Sequence, residues 1–317
     1  MAKKRIIFMG TPRFAAYILE QLLESKQDYF EIVAVISQPD KRVGRKRELM
    51  PTEVKVVAVS YNLPILQPDK IGEAYAEIAA FKPDLLITAA YGQLVPENIL
   101  NLPTFRCINV HGSLLPLYRG GAPIHYALLN GDKKTGITIM YMEKKLDAGA
   151  MLCQKSLPID RRDTLETLFE KMQKFGAEVL LNMLPSFFAG ALNAIAQNEA
   201  EVSYAPNITR TQQKIDWSQK SEEIFNHVRA FNPMPATFTI INDVSVKIFA
   251  VEIVENQHSI LEPGTVIFAE KAVCYIKTGD GVIAVTDLQI SGKKRQNIQE
   301  VMQGVGKTLL KEGGKFE

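Results

Sequence analysis

Asn109 and His111 stand two residues apart, and Asp147 follows in the stretch Leu146-Asp147-Ala148-Gly149. The run before His111, residues 106–110, is short and apolar, which is the pattern of a buried strand. Side chains two apart on a strand leave the same face, so Asn109 and His111 can address one point. An Asn amide is an uncharged N–H donor, and an imidazole gains or loses a proton near neutrality. This pair suits acyl transfer. Asn and a protonated ring would stabilise the oxygen that gathers charge, and the ring would help move the proton of the attacking group. A carboxylate beside such a ring stabilises its charged form. Asp147 is the candidate, on a loop that Gly149 allows to approach closely. Taken singly, each of these residues is more often an ordinary hydrogen-bonding group. Their occurrence in one Gly- and Pro-punctuated segment, 107–152, is what suggests a site.

The elements that must position them follow from periodicity. Apolar runs at 5–9, 32–36, 65–66, 84–90 and 106–110 alternate with helical patterns at 14–24, 53–58 and 74–81. Near-continuous apolar strands alternating with helices predict an α/β fold, with a doubly wound, mostly parallel (Rossmann-like) sheet. Ligands of such sheets bind beyond the carboxyl ends of the strands, where Gly10, Gly92 and His111 fall. The longest helical pattern, 164–188, has Asp163 as a plausible N-cap. The next residues are rich in Ala, Asn and Gln. After a helix at 221–231, short strand-like runs at 237–241, 246–251, 273–277 and 282–285 predict a small β-barrel (OB-like). The expected division is 1–190, a linker at 191–206, and a barrel domain at 207–317.

Composition narrows the class. Hydrophobic residues make up 46% of the chain, enough for a sizeable core. The net charge of +2 is too small to argue for nucleic-acid binding from the whole chain. The three cysteines, Cys107, Cys153 and Cys274, are far apart and odd in number. They predict neither a disulfide framework nor a metal site, and they fit a reducing cytoplasm. Residues 6–9 are too short for a signal segment, and no apolar run reaches membrane-spanning length. Cys107, in an apolar strand, reads as an inert core thiol. Gly10-Thr11-Pro12 lacks the G-x-G-x-x-G pattern of a nicotinamide site.

The chemistry-bearing segment resembles the folate-dependent formyltransferase family. The matching residues are Asn109-x-His111, Ser113-Leu114-Leu115-Pro116, Arg119-Gly120, Pro123, Gly131, Gly136-x-Thr138 and Asp147-x-Gly149. The resemblance extends from Ile7-Phe8-Met9-Gly10-Thr11-Pro12 into the barrel. It implies transfer of a formyl group from 10-formyltetrahydrofolate to an amine without a metal. It gives Asn109, His111 and Asp147 as the catalytic set. Ser113, Leu114, Leu115 and Pro116 would line the folate site, with Ala90, Tyr91, Gly92, Leu94 and Val95 as the opposite wall.

Three features bear on the acceptor. The first is an insertion at 38–51, dense in basic residues: Lys41, Arg42, Arg45, Lys46 and Arg47. Its Gln-Pro-Asp, Gly-Arg and Leu-Met-Pro frame resembles the loop with which members acting on initiator methionyl-tRNA grip the acceptor end, and Arg45 matches that loop's arginine. Lys46-Arg47-Glu48 departs from the pattern, where a Gly and more uniform basicity are expected. From charge alone a solvated basic loop is the commoner case, and composition predicts no order for it without RNA. The second is Lys214-Ile215-Asp216-Trp217 with the 230–235 stretch Ala-Phe-Asn-Pro-Met-Pro, which resembles the family's C-terminal domain. Amino-sugar formyltransferases share that domain; they would not need the insertion. Trp217 is expected in the core. The third is Lys293-Lys294-Arg295, which could follow a phosphate backbone or be a solvated turn. The resemblance therefore implies initiator methionyl-tRNA and folate as partners and a monomer, while the lack of a long apolar run predicts no membrane. The alternatives are an amino-sugar nucleotide acceptor and a catalytically silent RNA- or folate-binding protein.

Overall fold

The computed structural model describes all residues except Met1, Arg45 and His258. The chain divides into two units. The first comprises residues 1–123, 134–158 and 169–206; the second comprises 124–133, 159–168 and 207–317.

A seven-stranded sheet organises the first unit. In chain order its strands are β1 (Lys4–Gly10), β2 (Phe30–Ile36), β5 (Ile65–Leu66), β6 (Leu85–Ala89), β7 (Cys107–His111), β8 (Lys134–Tyr141) and β9 (Met151–Pro158). A separate hairpin supplies β3 (Lys41–Val43) and β4 (Glu48–Met50). The spatial order is β5-β2-β1-β6-β7-β8-β9. β5 to β7 run parallel, as their apolar runs predict, and β8 and β9 add antiparallel. The loop-rich texture of 107–152 does not predict β8 and β9. β8 is buried over most of its length, so it carries an apolar run between glycines and no alternation to flag it.

The helices α1 (Arg13–Glu24), α2 (Glu53–Ser60), α3 (Tyr75–Ala80) and α4 (Glu97–Leu100) follow the strands. Ile7 and Met9 of β1 share a core cluster with Ile71, Ala74, Ile78 and Ile99. The alternate β1 residues Ile6 and Phe8 are also buried, so both faces of the sheet are covered. After the short α5 (Pro123–Leu129), the long α6 (Leu165–Phe188) begins one residue later than expected. Thr164 Oγ1 accepts from the Thr167 amide, so Thr164 caps it. The Asp163 carboxylate accepts from the Asp160 amide and the Thr167 hydroxyl instead. Among the described residues no helix is long and apolar enough to cross a membrane.

The second unit holds α7 (Ser221–Phe231) and a six-stranded antiparallel sheet. Its strands are β10 (Thr237–Ile241), β11 (Val244–Val254), β12 (Val266–Glu270), β13 (Val273–Lys277), β14 (Val282–Ile290) and β15 (Gln296–Asn297). The order is β10-β11-β14-β13-β12, with β15 on β14. Residues 313–317 join the two edges. Phe316 bridges Ile241, Lys315 bridges Thr265, and the Val266 amide donates to the Gly314 carbonyl. This closure removes the open edges around a core containing Trp217, Ile248, Ile276 and Phe316. The Trp217 indole N–H donates to Thr239 Oγ1 at 2.9 Å, so the lone tryptophan is a core residue.

Candidate active site

β7 ends at His111, between parallel β6 and antiparallel β8. Thr88, near the end of β6, is paired with Asn109, and its hydroxyl donates to Asn109 Oδ1 at 2.8 Å. That bond fixes the amide rotamer, so Nδ2 with its two hydrogens faces away from Thr88.

His111 is nearly buried, and both ring nitrogens face acceptors. Nε2 lies 3.0 Å from the Tyr118 carbonyl, so that nitrogen carries a hydrogen and donates. Nδ1 lies 3.7 Å from Asp147 Oδ2. This is close enough for charge pairing but too long for a direct hydrogen bond. Nδ1 is therefore the ring atom without a direct hydrogen bond to the protein, with the Asp147 carboxylate near it. Asp147 Oδ2 is held in turn by the Gly120 amide at 2.8 Å.

Three non-glycine residues around this point have left-handed backbone: Ala90 (φ 45°), Tyr118 (φ 63°) and Asp147 (φ 48°). Such conformations persist where neighbours over-determine them, and here they do. Gly149 lets the Asp147 loop lie on β8, since a Cβ there would sit 1.9 Å from the Tyr141 carbonyl oxygen. The 113–116 turn is tied to β8 and β9. Thr138 Oγ1 donates to the Ser113 carbonyl and accepts from the Leu115 amide, and Gln154 donates to the Leu115 carbonyl. The Ser113 hydroxyl donates to the Leu117 carbonyl. Gly136 leaves room for Leu114, whose Cδ2 lies 2.4 Å from where a Cβ would be.

Of the expected folate wall, Ala90, Gly92 and Leu94 are exposed at the end of β6, whereas Tyr91 and Val95 are buried. The Tyr91 carbonyl accepts from the Thr11 hydroxyl. Leu115 is buried, and Leu114 and Pro116 are half-buried. The basic insertion forms the β3–β4 hairpin instead of an unordered loop. Arg42 pairs with Leu49 across it, and the Arg42 guanidinium donates to the Arg47 carbonyl. Lys41, Arg42, Lys46 and Arg47 are all exposed; Arg45 lies outside the described residues. The hairpin is rooted by Asp40, which takes Lys55 Nζ at 2.6 Å and Gln67 Nε2 at 2.8 Å. Gln67 and Lys55 hold the Asp40 carboxyl below its ordinary pKa.

In the second unit Lys293, Lys294 and Arg295 are exposed. Arg295 is engaged, however: its Nε donates to Asp287 at 2.8 Å, and its guanidinium lies 4.2 Å from the Phe249 ring centroid. Burial pushes the Cys107 thiol up to about 12, which leaves it no thiolate near neutrality. Thr88, Tyr118 and Gln154 lie at the site without any motif that announces them, and Gly120, though part of the matching pattern, contributes through its amide. They act through backbone groups or from distant strands.

Comparison with known proteins bears on what this site is. Residues 4–184 match the model of the formyl transferase family, and residues 207–306 match its C-terminal domain. A curated methionyl-tRNA formyltransferase of Geobacillus thermodenitrificans is 48% identical over 307 residues, covering 96% of this chain and 95% of that protein. Among solved structures, the sugar 3N-formyl transferase WlaRD superposes with a TM-score of 0.67 at 22% identity, covering 93% of this chain and all of that one. HypX from Aquifex aeolicus, solved with tetrahydrofolic acid, gives 0.65 at 18% identity, covering 97% of this chain and 48% of that one. By sequence over nearly its whole length, and by fold, this chain belongs to the formyl transferase family.

Proposed function

We propose that the protein transfers the formyl group of 10-formyltetrahydrofolate to the methionine amine of initiator methionyl-tRNA, giving formylmethionyl-tRNA for translation initiation. As a step of translation, the reaction belongs in the cytoplasm. The observation that carries the chemistry is the convergence of Asn109, His111 and Asp147 at the end of β7. Similarity to methionyl-tRNA formyltransferases over nearly the full length carries the choice of acceptor.

The amine attacks as the free base. A C–N bond forms at the formyl carbon, the formyl oxygen gathers negative charge, and the bond to the folate nitrogen then breaks. Asn109 Nδ2 is oriented by Thr88 and donates to the developing oxyanion. His111 Nε2 is spent on the Tyr118 carbonyl, so the ring meets the oxyanion through Nδ1. Only the doubly protonated ring has a hydrogen there to donate. The Asp147 carboxylate, 3.7 Å away, balances that charge and accepts the proton shed by the amine, through a water. The proton returns to the departing folate nitrogen. No covalent enzyme intermediate is needed, in keeping with the absence of an activated thiol at Cys107.

The pterin of folate is a heterocycle with polar edges. The end of β6 suits it, because Ala90 and Gly92 expose backbone groups and Leu94 exposes apolar surface. Ala90, Tyr91, Gly92, Leu94 and Val95 would form one wall, and Ser113, Leu114, Leu115 and Pro116 the other. Lys41, Arg42, Arg45, Lys46 and Arg47 would meet tRNA phosphates, as would Lys293 and Lys294 with a smaller part for Arg295.

The test is an acceptor assay. Purified protein is given 10-formyltetrahydrofolate with methionyl-initiator tRNA, free methionine, UDP-4-amino-arabinose or water alone. Formylmethionine is expected only with the charged tRNA. Formyl on the sugar, or free formate without an acceptor, would overturn the acceptor assignment.

A further inference from the structure

Residues 195–205 carry no motif, yet they are bound along their length to the two loops that hold His111 and Asp147. Ile195 exchanges two backbone hydrogen bonds with Met151. The Gln197 side-chain amide donates to the carbonyls of Asp147 and Gly149 at 2.8 and 2.9 Å. Its oxygen accepts from Arg119 Nε and Nη2 at 3.0 and 2.8 Å. Ser203 Oγ accepts from the Tyr118 amide, and the Ser203 carbonyl accepts from the Arg119 amide. The Ala205 amide donates to the Arg119 carbonyl.

These bonds fall on the groups that fix the His111–Asp147 pair. Tyr118 supplies the carbonyl that holds His111 Nε2, and Gly120 supplies the amide that holds Asp147 Oδ2. Tyr118 and Asp147 are also two of the strained residues, and Gln197 binds the carbonyl of Asp147 itself. Arg119, between Tyr118 and Gly120, is fully buried. A buried guanidinium demands partners, and Gln197 and Glu199 provide them at Nε and Nη2. One side chain, Gln197, thus clamps both loops at once.

We infer that residues 195–205 act as a strap, and that Gln197 is a positioning residue which sets the separation of His111 and Asp147 by clamping the two loops together. This inference rests on the catalytic reading of His111 and Asp147. Gln197 touches neither substrate nor reacting atoms; it acts through the loops. Misplacement of a catalytic group by about 1 Å costs up to roughly 100-fold in rate, so the strap's effect belongs in kcat.

Gln197→Glu breaks the clamp on one side only. The carboxylate still accepts from Arg119 but has no hydrogen for the Asp147 and Gly149 carbonyls, and it repels them. The strap predicts a fall in kcat of about 10- to 100-fold with the KM for 10-formyltetrahydrofolate unchanged, and the two lost hydrogen bonds lower the Tm as well. Wild-type kcat in Gln197→Glu would overturn it, because that variant no longer ties the Asp147 loop to Arg119. Ser203→Ala separates positioning from this loss of stability. It frees the Tyr118 amide at little cost to folding, and a several-fold loss of kcat upholds the strap while wild-type kcat overturns it. Asp147→Asn, measured alongside, tells the two readings apart. An inactive Asp147→Asn with a fully active Gln197→Glu removes only the strap; a fully active Asp147→Asn removes the catalytic reading and the strap with it.

Discussion

The site loops, 112–122 and 145–150, and the β3–β4 hairpin belong to the same unit but are built in opposite ways. The site loops are cross-tied at nearly every step. Their strained residues are clamped by Ser203, Gly120 and Gln197, and His111, Ser113 and Arg119 are buried. Every described residue of the hairpin from Lys41 to Met50 is exposed, including Val43, Leu49 and Met50. Its anchorage lies at its root, on Asp40, Lys55 and Gln67. The difference follows from the task proposed for each. An oxyanion must be met by donors held within about half an ångström, which requires preorganisation. A phosphate backbone is met by long cationic side chains that adapt as they bind, and for that exposure matters more than fixity.

The comparison is broken most directly at Asn109. Its amide is aimed by Thr88, and it would act only on developing charge. Asn109→Ala should therefore lower kcat by about 100- to 1000-fold, with folate binding and Tm little changed. Steady-state kinetics with a binding titration would check this. Loss of folate affinity in step with kcat would mean that Asn109 serves ground-state binding, and the site loops would lose their claim to preorganised chemistry.

How much of the molecule is legible in the sequence follows the same divide. The parallel strands and their order of appearance are legible, because buried strands are near-continuous apolar runs. Asn109, His111 and Asp147 are legible through side-chain chemistry, and their spacing through family resemblance. The groups that hold them are not. The Tyr118 carbonyl and the Gly120 amide are backbone atoms, which every residue has. Gln197 lies in a stretch whose Ala, Asn and Gln content suggests a linker, and its partners Arg119 and Asp147 are far away in sequence. The hairpin escapes a sequence reading for another reason. Its strands are three residues each, carry charge on exposed faces and bury nothing, so periodicity has no signal to give.

The hairpin side of the comparison is sharpened by salt. Lys41→Ala and Arg42→Ala should raise the KM for methionyl-tRNA and leave kcat at saturation and the KM for the formyl donor unchanged. Removing one cation from a phosphate should flatten the plot of log(kcat/KM) against log salt by about 0.7 to 0.9. A drop in kcat at saturating tRNA would show that the hairpin takes part in preorganising the site, and the contrast between the two regions would dissolve.

The smallest effect concerns Arg295, which carries the same formal charge as its neighbours Lys293 and Lys294 but spends it differently. Its guanidinium is held by Asp287 and lies over Phe249, whereas the two lysines are exposed. A half-exposed ion pair and a cation–π interaction are each worth about 1 kcal/mol or less. Arg295→Ala should therefore lower stability by about that much in urea unfolding, with little change in tRNA affinity. Lys293→Ala with Lys294→Ala should do the reverse, weakening tRNA binding and leaving stability alone. If Arg295→Ala weakens tRNA binding as much as the double lysine variant, its guanidinium leaves Asp287 when RNA arrives. Exposure, and not freedom from a partner, would then be what marks a phosphate-binding cation in both the turn and the hairpin.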